Sequence, residues 1–328
     1  AARLRELGVP PAARRALSRA DRAAARADLA WLEAPGRGLL TLACADYPPA
    51  LLATADPPPL LFLAGNRRAL AARCVAVVGS RNPTACGTEL AHRFSAGLVR
   101  AGFAVVSGLA AGIDGAAHRG ALDAGGTTLA VVGSGLDRVY PRAHHALADA
   151  VAASGLMLSE YPPGTPPARH HFPRRNRILA GLASGVLVVE AAARSGSLIT
   201  ARLAADAGRE VFAVPGSVLN PLARGCHALL RDGARLVEGI DDLLEELPGD
   251  AVPPNDGIRP ERPRGDLDPA DRTLVRALQA GPASVDALVE ATALGAGEVM
   301  ARLLALELGG HVSSAPGGRF CLLPGTDR

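Results

Sequence analysis

Three short stretches combine the residue types that hold phosphate: VAVVGSRNPT (75–84), VVSGLAAGID (105–114) and VVEAAARSGSLITA (188–201). In each, an apolar run stops at Gly or Ser and passes into a helical pattern, which would aim backbone N–H groups and the positive end of a helix dipole at an anion. The first supplies Gly79, Ser80 and Arg81, whose amides and guanidinium suit a phosphate loop. The second supplies Ser107, Gly108 and Asp114, where Asp114 either caps the next helix or orients the backbone around a ligand. The third supplies Ser195, Gly196, Ser197 and Thr200, readable as a hydroxyl-lined anion nest or as plain N-capping by Ser197. Further cations follow in Tyr140-Pro141-Arg142 and in HHFPRRNR (170–177). Phe172 and Tyr161 are the aromatic residues near those arginines on which bases could stack.

Several chemistries are excluded by missing parts. No G-x-G-x-x-G fingerprint is present, since Gly79 is followed by Arg81 and Gly133-Ser134-Gly135 lacks the third glycine. No nucleophile elbow or motif with two close carboxylates emerges, so no catalytic residue is assigned. The pairs His144-His145 and His170-His171 are adjacent and cannot share a helix face, so no metal site is expected. Five scattered cysteines, never spaced C-x-x-C, argue against disulfides or zinc and fit a cytoplasmic protein.

Elements must carry these turns to a common place. From Cys74 onward, short Val-rich runs at about 75–79, 104–107, 128–133, 156–160, 186–190 and 210–214 alternate with helical patterns, which predicts βαβ units and a parallel sheet covered on both faces. The intervening helices are expected near 87–101, 112–124, 143–154, 174–183, 197–208 and 224–232. Residues 1–56 read as a small helical, SAM-like domain with Ser18 as an N-cap, followed by a proline-rich connection. The sheet domain is expected over 57–247, and the polar, proline-rich stretch 248–265 is a linker. Three helical patterns and a Pro-Gly-Gly turn over 266–328 outline a winged helix.

Hydrophobic residues make up 48% of the 328, which fits a globular chain, and no apolar run reaches the roughly 18 residues of a membrane span. The stretch AARLRELGVPPAARR shows no apolar run of the signal-peptide kind. Every one of the 35 basic residues is Arg, and each carries a planar fork suited to phosphate. The net charge of +3 is too small to announce a nucleic-acid binder, but its distribution is uneven: 10 Arg face 6 acids over 1–71, against 5 Arg and 8 acids over 266–328. The third helix of the winged-helix outline, 295–309, has Glu298 and Glu307 against Arg302 alone, which predicts protein–protein or regulatory duty instead of contact with a phosphate backbone.

In order and spacing, these motifs resemble the bacterial DNA-processing protein A family (DprA, also called Smf). The resemblance runs through VAVVGSRNPT, VVSGLAAGIDGAAHRGAL, LAVVGSGLDRVYP, SEYPPG, HFPRRNRILAGLASGVLVVEAAARSGSLITARLA, GREVFAVPGS and NPLARGCHALLRDGARLV, almost continuous over 40–240. It implies an extended Rossmann-like domain that binds single-stranded DNA without a cofactor and forms a homodimer. It also implies a non-enzymatic mediator that protects incoming DNA and loads the RecA recombinase during natural transformation. Carried over by position, it places Arg81, Arg142, Arg175, Asn176, Arg177, Ser195, Gly196 and Ser197 in the DNA pocket; Arg142 stands where some members have Lys. The rival reading is a nucleoside-monophosphate phosphoribohydrolase with a related sheet, but such enzymes use a PGG-x-GT-x-x-E signature and this chain has RSGSLITA in its place.

Overall fold

The computed structural model describes residues 11, 22–247, 267–309, 311–315 and 317–323. Ser18 and the linker at 248–265 lie outside them.

The valine runs build the centre of a nine-stranded sheet. Strand β3 (Cys74–Val78) is buried along its whole length, as are β4 (Ala104–Ser107) and β5 (Thr128–Val132). Strands β6 (Leu156–Ser159), β7 (Ala183–Val188), β8 (Glu210–Ala213) and β9 (Arg235–Leu236) complete the parallel part. The order β6-β5-β4-β3-β7-β8-β9 makes the chain step outward from β3 through β4, β5 and β6, then return to the other side of β3 for β7.

Alternation along β3 divides the core. Val75 and Val77 face one layer with Phe94, Leu98 and Ala117, from helices α3 (Ala85–Arg100) and α4 (Ile113–Asp123). Ala76 and Val78 face the other with Ile178, Leu179, Leu198 and Ala201, from α6 (His171–Leu182) and α7 (Ser197–Asp206). Burying each Val or Leu contributes about 1.5–3 kcal/mol, so the two layers hold the sheet from both sides. At the carboxyl ends of β3 and β7 the chain therefore departs to opposite faces, which opens a crevice at the switch in strand order.

The sequence expectation of helix through residue 56 fails at Arg37–Thr41. That segment is strand β1, paired antiparallel with β2 (Leu60–Gly65), and β2 pairs antiparallel with β6. The sheet is thus mixed, and it begins ahead of the expected boundary at 57. The reason is burial: Leu40 and Leu61 are fully enclosed when these two runs extend the sheet edge. Helix remains in α1 (Arg22–Leu32) and the single turn α2 (Pro49–Leu52). Helix α5 (His145–Ser154) joins β5 to β6, and α8 (Arg224–Arg231) and α9 (Ile240–Glu246) flank β9.

The C-terminal segment has its own core. Helices α10 (Pro269–Gln279), α11 (Val285–Thr292) and α12 (Ala296–Leu308) enclose Leu274, Leu278, Leu288, Val299 and Leu303. A three-stranded sheet of β10 (Ala283–Ser284), β12 (Arg319–Leu322) and β11 (Val312–Ala315) supplies the wing. Asp268 caps α10 and Ser284 caps α11 through side-chain bonds to backbone N–H groups, as helix starts require. Arg302 on α12 bonds Asp268 at 2.5 Å, Asp271 at 3.0 Å and Glu298 at 3.0 Å, so the cation on this helix is already neutralised.

Candidate nucleic-acid interface

The three glycine-rich turns meet at the crevice, but they are not alike. After β3, the amide of Thr84 donates to Glu190 Oε2 at 2.9 Å and the Thr84 hydroxyl donates to Oε1 at 2.7 Å. Thr84 in turn caps α3 by accepting from the Gly87 amide at 2.9 Å. Glu190, only 8% exposed, thus occupies the position an external phosphate would take at this helix start. Gly87 is required because a Cβ there would lie 2.5 Å from the Glu190 carboxyl carbon. The amides engaged in this turn are those of Asn82 and Thr84, which follow the Gly79-Ser80-Arg81 loop. Ser80 spends its hydroxyl on the Asn82 amide and its carbonyl on the Ile113 amide, and Gly79 and the Arg81 side chain remain on the cleft wall.

The turn after β4 is closed in the same manner. Asp114 Oδ2 accepts from the amides of Gly108 at 3.1 Å and Ala110 at 3.3 Å. Gly112, with φ +79°, holds the N-cap position of α4, and Asp114, in the first turn, orients the backbone of the preceding turn through these two amides. Ser107 is fully buried and donates to the Val77 carbonyl at 2.7 Å, joining β4 to β3.

Gly108 links this turn to the opposite layer. Its carbonyl accepts from Arg175 Nη1 at 2.6 Å, and the Val131 carbonyl takes a second, shorter bond from the same nitrogen. Arg175 is 5% exposed, and its Nε reaches Asn176 Oδ1 at 3.3 Å. Burial presses the guanidinium down to about 10, which leaves it charged at neutral pH, while the nearby carboxylate of Asp114 opposes the shift. The same burial raises Asp114, with Arg175 and Arg81 pulling it back. Among the described residues Nη2 of Arg175 has no protein partner, so a held cation presents one free edge to the cleft.

The third turn is held by its own side chains, with no carboxylate at the helix start. Ser195 and Ser197 hydroxyls lie 2.7 Å apart, Gly196 leaves space where a Cβ would be, and Asn176 Nδ2 donates to the Gly196 carbonyl at 3.3 Å. Ser197 is the first residue of α7 and provides no side-chain cap, so plain N-capping by Ser197 does not hold. The amides of Leu198 and Ile199 close on the carbonyls of Ser195 and Gly196, and the Ser197 amide donates to the Ser195 hydroxyl at 3.4 Å.

Together these elements line a cleft of about 570 Å³. Of the residues singled out in the sequence, Gly79, Arg81, Asp114, Phe172, Arg175, Asn176, Ser195, Gly196, Ser197 and Thr200 face it. Ser80, Ser107 and Gly108 support it from behind. Arg142 stands in a 3₁₀ turn, Arg142–His144, outside the lining. Arg177 points elsewhere: its Nε bonds Asp56 at 2.8 Å and its Nη2 bonds Glu160 at 2.5 Å, tying the α2–β2 connection to the sheet. Tyr161 is stacked on His171 at 3.9 Å and does not line the cleft, so it is no base platform. Sequence reasoning missed Tyr140 and Arg169, which do line it, and Glu190. Tyr140 stood one Pro away from a residue already chosen, and Glu190 directly follows a strand run, which is where a turn-locking carboxylate belongs.

The family model for DNA recombination-mediator protein A matches residues 38–248. The chain belongs to this family. A second model, the DprA winged helix domain, matches residues 259–318. Among curated relatives of this DprA family, Protein Smf of Escherichia coli (strain K12) is 42% identical over 88% of this chain and 79% of its own length. DNA processing protein DprA of Streptococcus pneumoniae is 50% identical over 61% and 71%. The solved DprA structure from Streptococcus pneumoniae matches with a TM-score of 0.65 and 45% identity, covering 69% of this chain and 79% of that one. DNA processing protein A from Helicobacter pylori, in a study of its single-stranded DNA binding mode, matches with a TM-score of 0.58 and 29% identity over 64% and 94%.

Proposed function

We propose that the cleft between the β3, β4 and β7 turns binds single-stranded DNA through its phosphates and that the protein acts with it as a recombination mediator. The observation that carries this is the convergence of Arg81, Arg169, Arg175 and the Ser195–Ser197 hydroxyls on one cleft from both layers of the sheet. Guanidinium forks and hydroxyls recognise a sugar-phosphate chain with little regard to base identity. The DprA from Helicobacter pylori, whose single-stranded DNA binding mode its structure describes, supports the same ligand for this chain.

A binding role without catalysis fits the carboxylates. Glu190 and Asp114 accept hydrogen bonds from backbone amides or a threonine hydroxyl, and both are buried. Such groups orient the turns and have little freedom to exchange protons with a substrate. Loading of RecA on incoming DNA during transformation, and homodimer formation, are the finer parts of the proposal. They follow from the family resemblance.

Fluorescence anisotropy with a short oligothymidylate at two salt concentrations tests the reading. Affinity should fall steeply with salt as counterions are released, and a duplex of the same length should bind more weakly. Equal affinity for both, or no salt dependence, would remove single-stranded DNA as the ligand.

A further inference from the structure

The geometry points to Tyr140 as the surface on which this cleft stacks an unpaired base, with Phe172 serving to position Arg81. This inference rests on the single-stranded DNA reading above and adds a role for a residue outside the phosphate contacts.

Phe172 is the aromatic residue nearest the arginines in sequence, yet its ring is already in use. The Arg81 guanidinium carbon lies 4.9 Å from the ring centroid, and that of Arg175 lies 6.0 Å away. Tyr140 is at 5.9 Å, centroid to centroid, with the planes inclined by 41°. A base could take the face of Phe172 that Arg81 occupies only by displacing the guanidinium, losing both the cation–π contact and the phosphate contact Arg81 is placed to make. Phe172 is therefore flanked on several sides within the cleft.

Tyr140 ends this ladder. It lines the same cleft, and it is 48% exposed, which is unusual for a large ring in a chain with 3% aromatic residues. An aromatic face of this kind accepts any base, because every base has a π-face. The division of labour follows from placement. Phe172 packs against the Arg81 guanidinium, which meets a phosphate, Arg175 supplies a second cation to the same cleft, and the base of the same nucleotide turns outward onto Tyr140.

An abasic comparison tests this with the full-length protein. Tyr140→Ala should weaken binding of an oligothymidylate by about five- to a hundredfold, Tyr140→Trp should retain it, and both should bind an oligomer of abasic sites as the unaltered protein does. A 2-aminopurine placed in the oligomer should lose its stacking-dependent quenching in Tyr140→Ala and keep it in Phe172→Leu. Phe172→Leu should instead reduce the salt slope by about one unit, with recovery in Phe172→Tyr, because it releases Arg81. Undiminished oligothymidylate binding by Tyr140→Ala, or an equal loss on the abasic oligomer, would overturn the inference. If the unaltered protein bound no oligothymidylate at all, the underlying DNA reading would fail first, and the two failures are distinguished by that control.

Discussion

The turns after β3 and β7 stand side by side in the sheet, yet a buried carboxylate from elsewhere in the chain locks the first, while the second is held by its own hydroxyls. After β3, Glu190 supplies the negative charge that the helix start attracts. After β7, the Ser195 and Ser197 hydroxyls face the cleft with Gly196 leaving room beside them. The difference shows that a helix start can be satisfied by a carboxylate that the fold itself supplies. In a dinucleotide-binding sheet the first turn takes the ligand's pyrophosphate. Here the helix start after β3 is a structural joint, and Arg81, Arg169 and Arg175 line the cleft beside it.

The contrast can be broken at Glu190. Glu190→Ala leaves the half-buried amide and hydroxyl of Thr84 without this partner, and should lower the unfolding free energy by about 2–3 kcal/mol in chemical denaturation. DNA affinity per folded molecule should change little. A large loss of affinity in a stable Glu190→Ala protein would mean that the β3 turn is part of the binding surface after all.

Acid should loosen the closed side next. His118 on α4 is fully buried, its Nδ1 is 2.7 Å from the Thr128 hydroxyl, and burial pushes it down to about 3 from 6.5. The unfolded chain therefore binds a proton below pH 6.5 that the folded one refuses until about pH 3. The stability His118 contributes is fully present above pH 6.5 and is lost as pH falls through that window. Between pH 7 and pH 5 the loss from this group is about 2 kcal/mol. Unfolding curves at the two pH values should converge by that amount in His118→Gln.

Among the residues that line the cleft, effects should fall on binding and spare stability. Arg81→Ala should weaken oligothymidylate about tenfold and reduce the salt slope by about one unit, with little change in the denaturation midpoint. Arg177→Ala should do the reverse, because its ion pairs to Asp56 and Glu160 hold the fold and not the ligand. Replacing Ser195 and Ser197 together by Ala should have the smallest effect, about 1 kcal/mol of affinity in an anisotropy titration.

The parallel strands and their turns were legible because buried strands read as continuous valine runs and glycine marks where they stop. Strands β1 and β2 were not, since short leucine runs beside prolines carry no period that separates an edge strand from a helix or a connection. Within HFPRRNR the choice between arginines also escaped the sequence. Arg175 and Arg177 lie two positions apart on α6, so they are turned by about 200° from each other, and only Arg175 reaches the cleft. Arg142 missed the lining for a related reason: the 3₁₀ turn after Pro141 leaves Tyr140, not the arginine, at the wall.

By itself the sequence determined the alternation of strands and helices, the family, and the residue types available at the strand ends, because these depend on local pattern and local turn chemistry. Tertiary structure alone decided which helix start is filled by a carboxylate of the chain itself. Thr84 and Glu190 are separated by 106 positions and meet only because β3 and β7 are neighbours in the sheet. A carboxylate becomes the ligand of a helix start only where packing holds it against the amides and excludes the water that would otherwise solvate both.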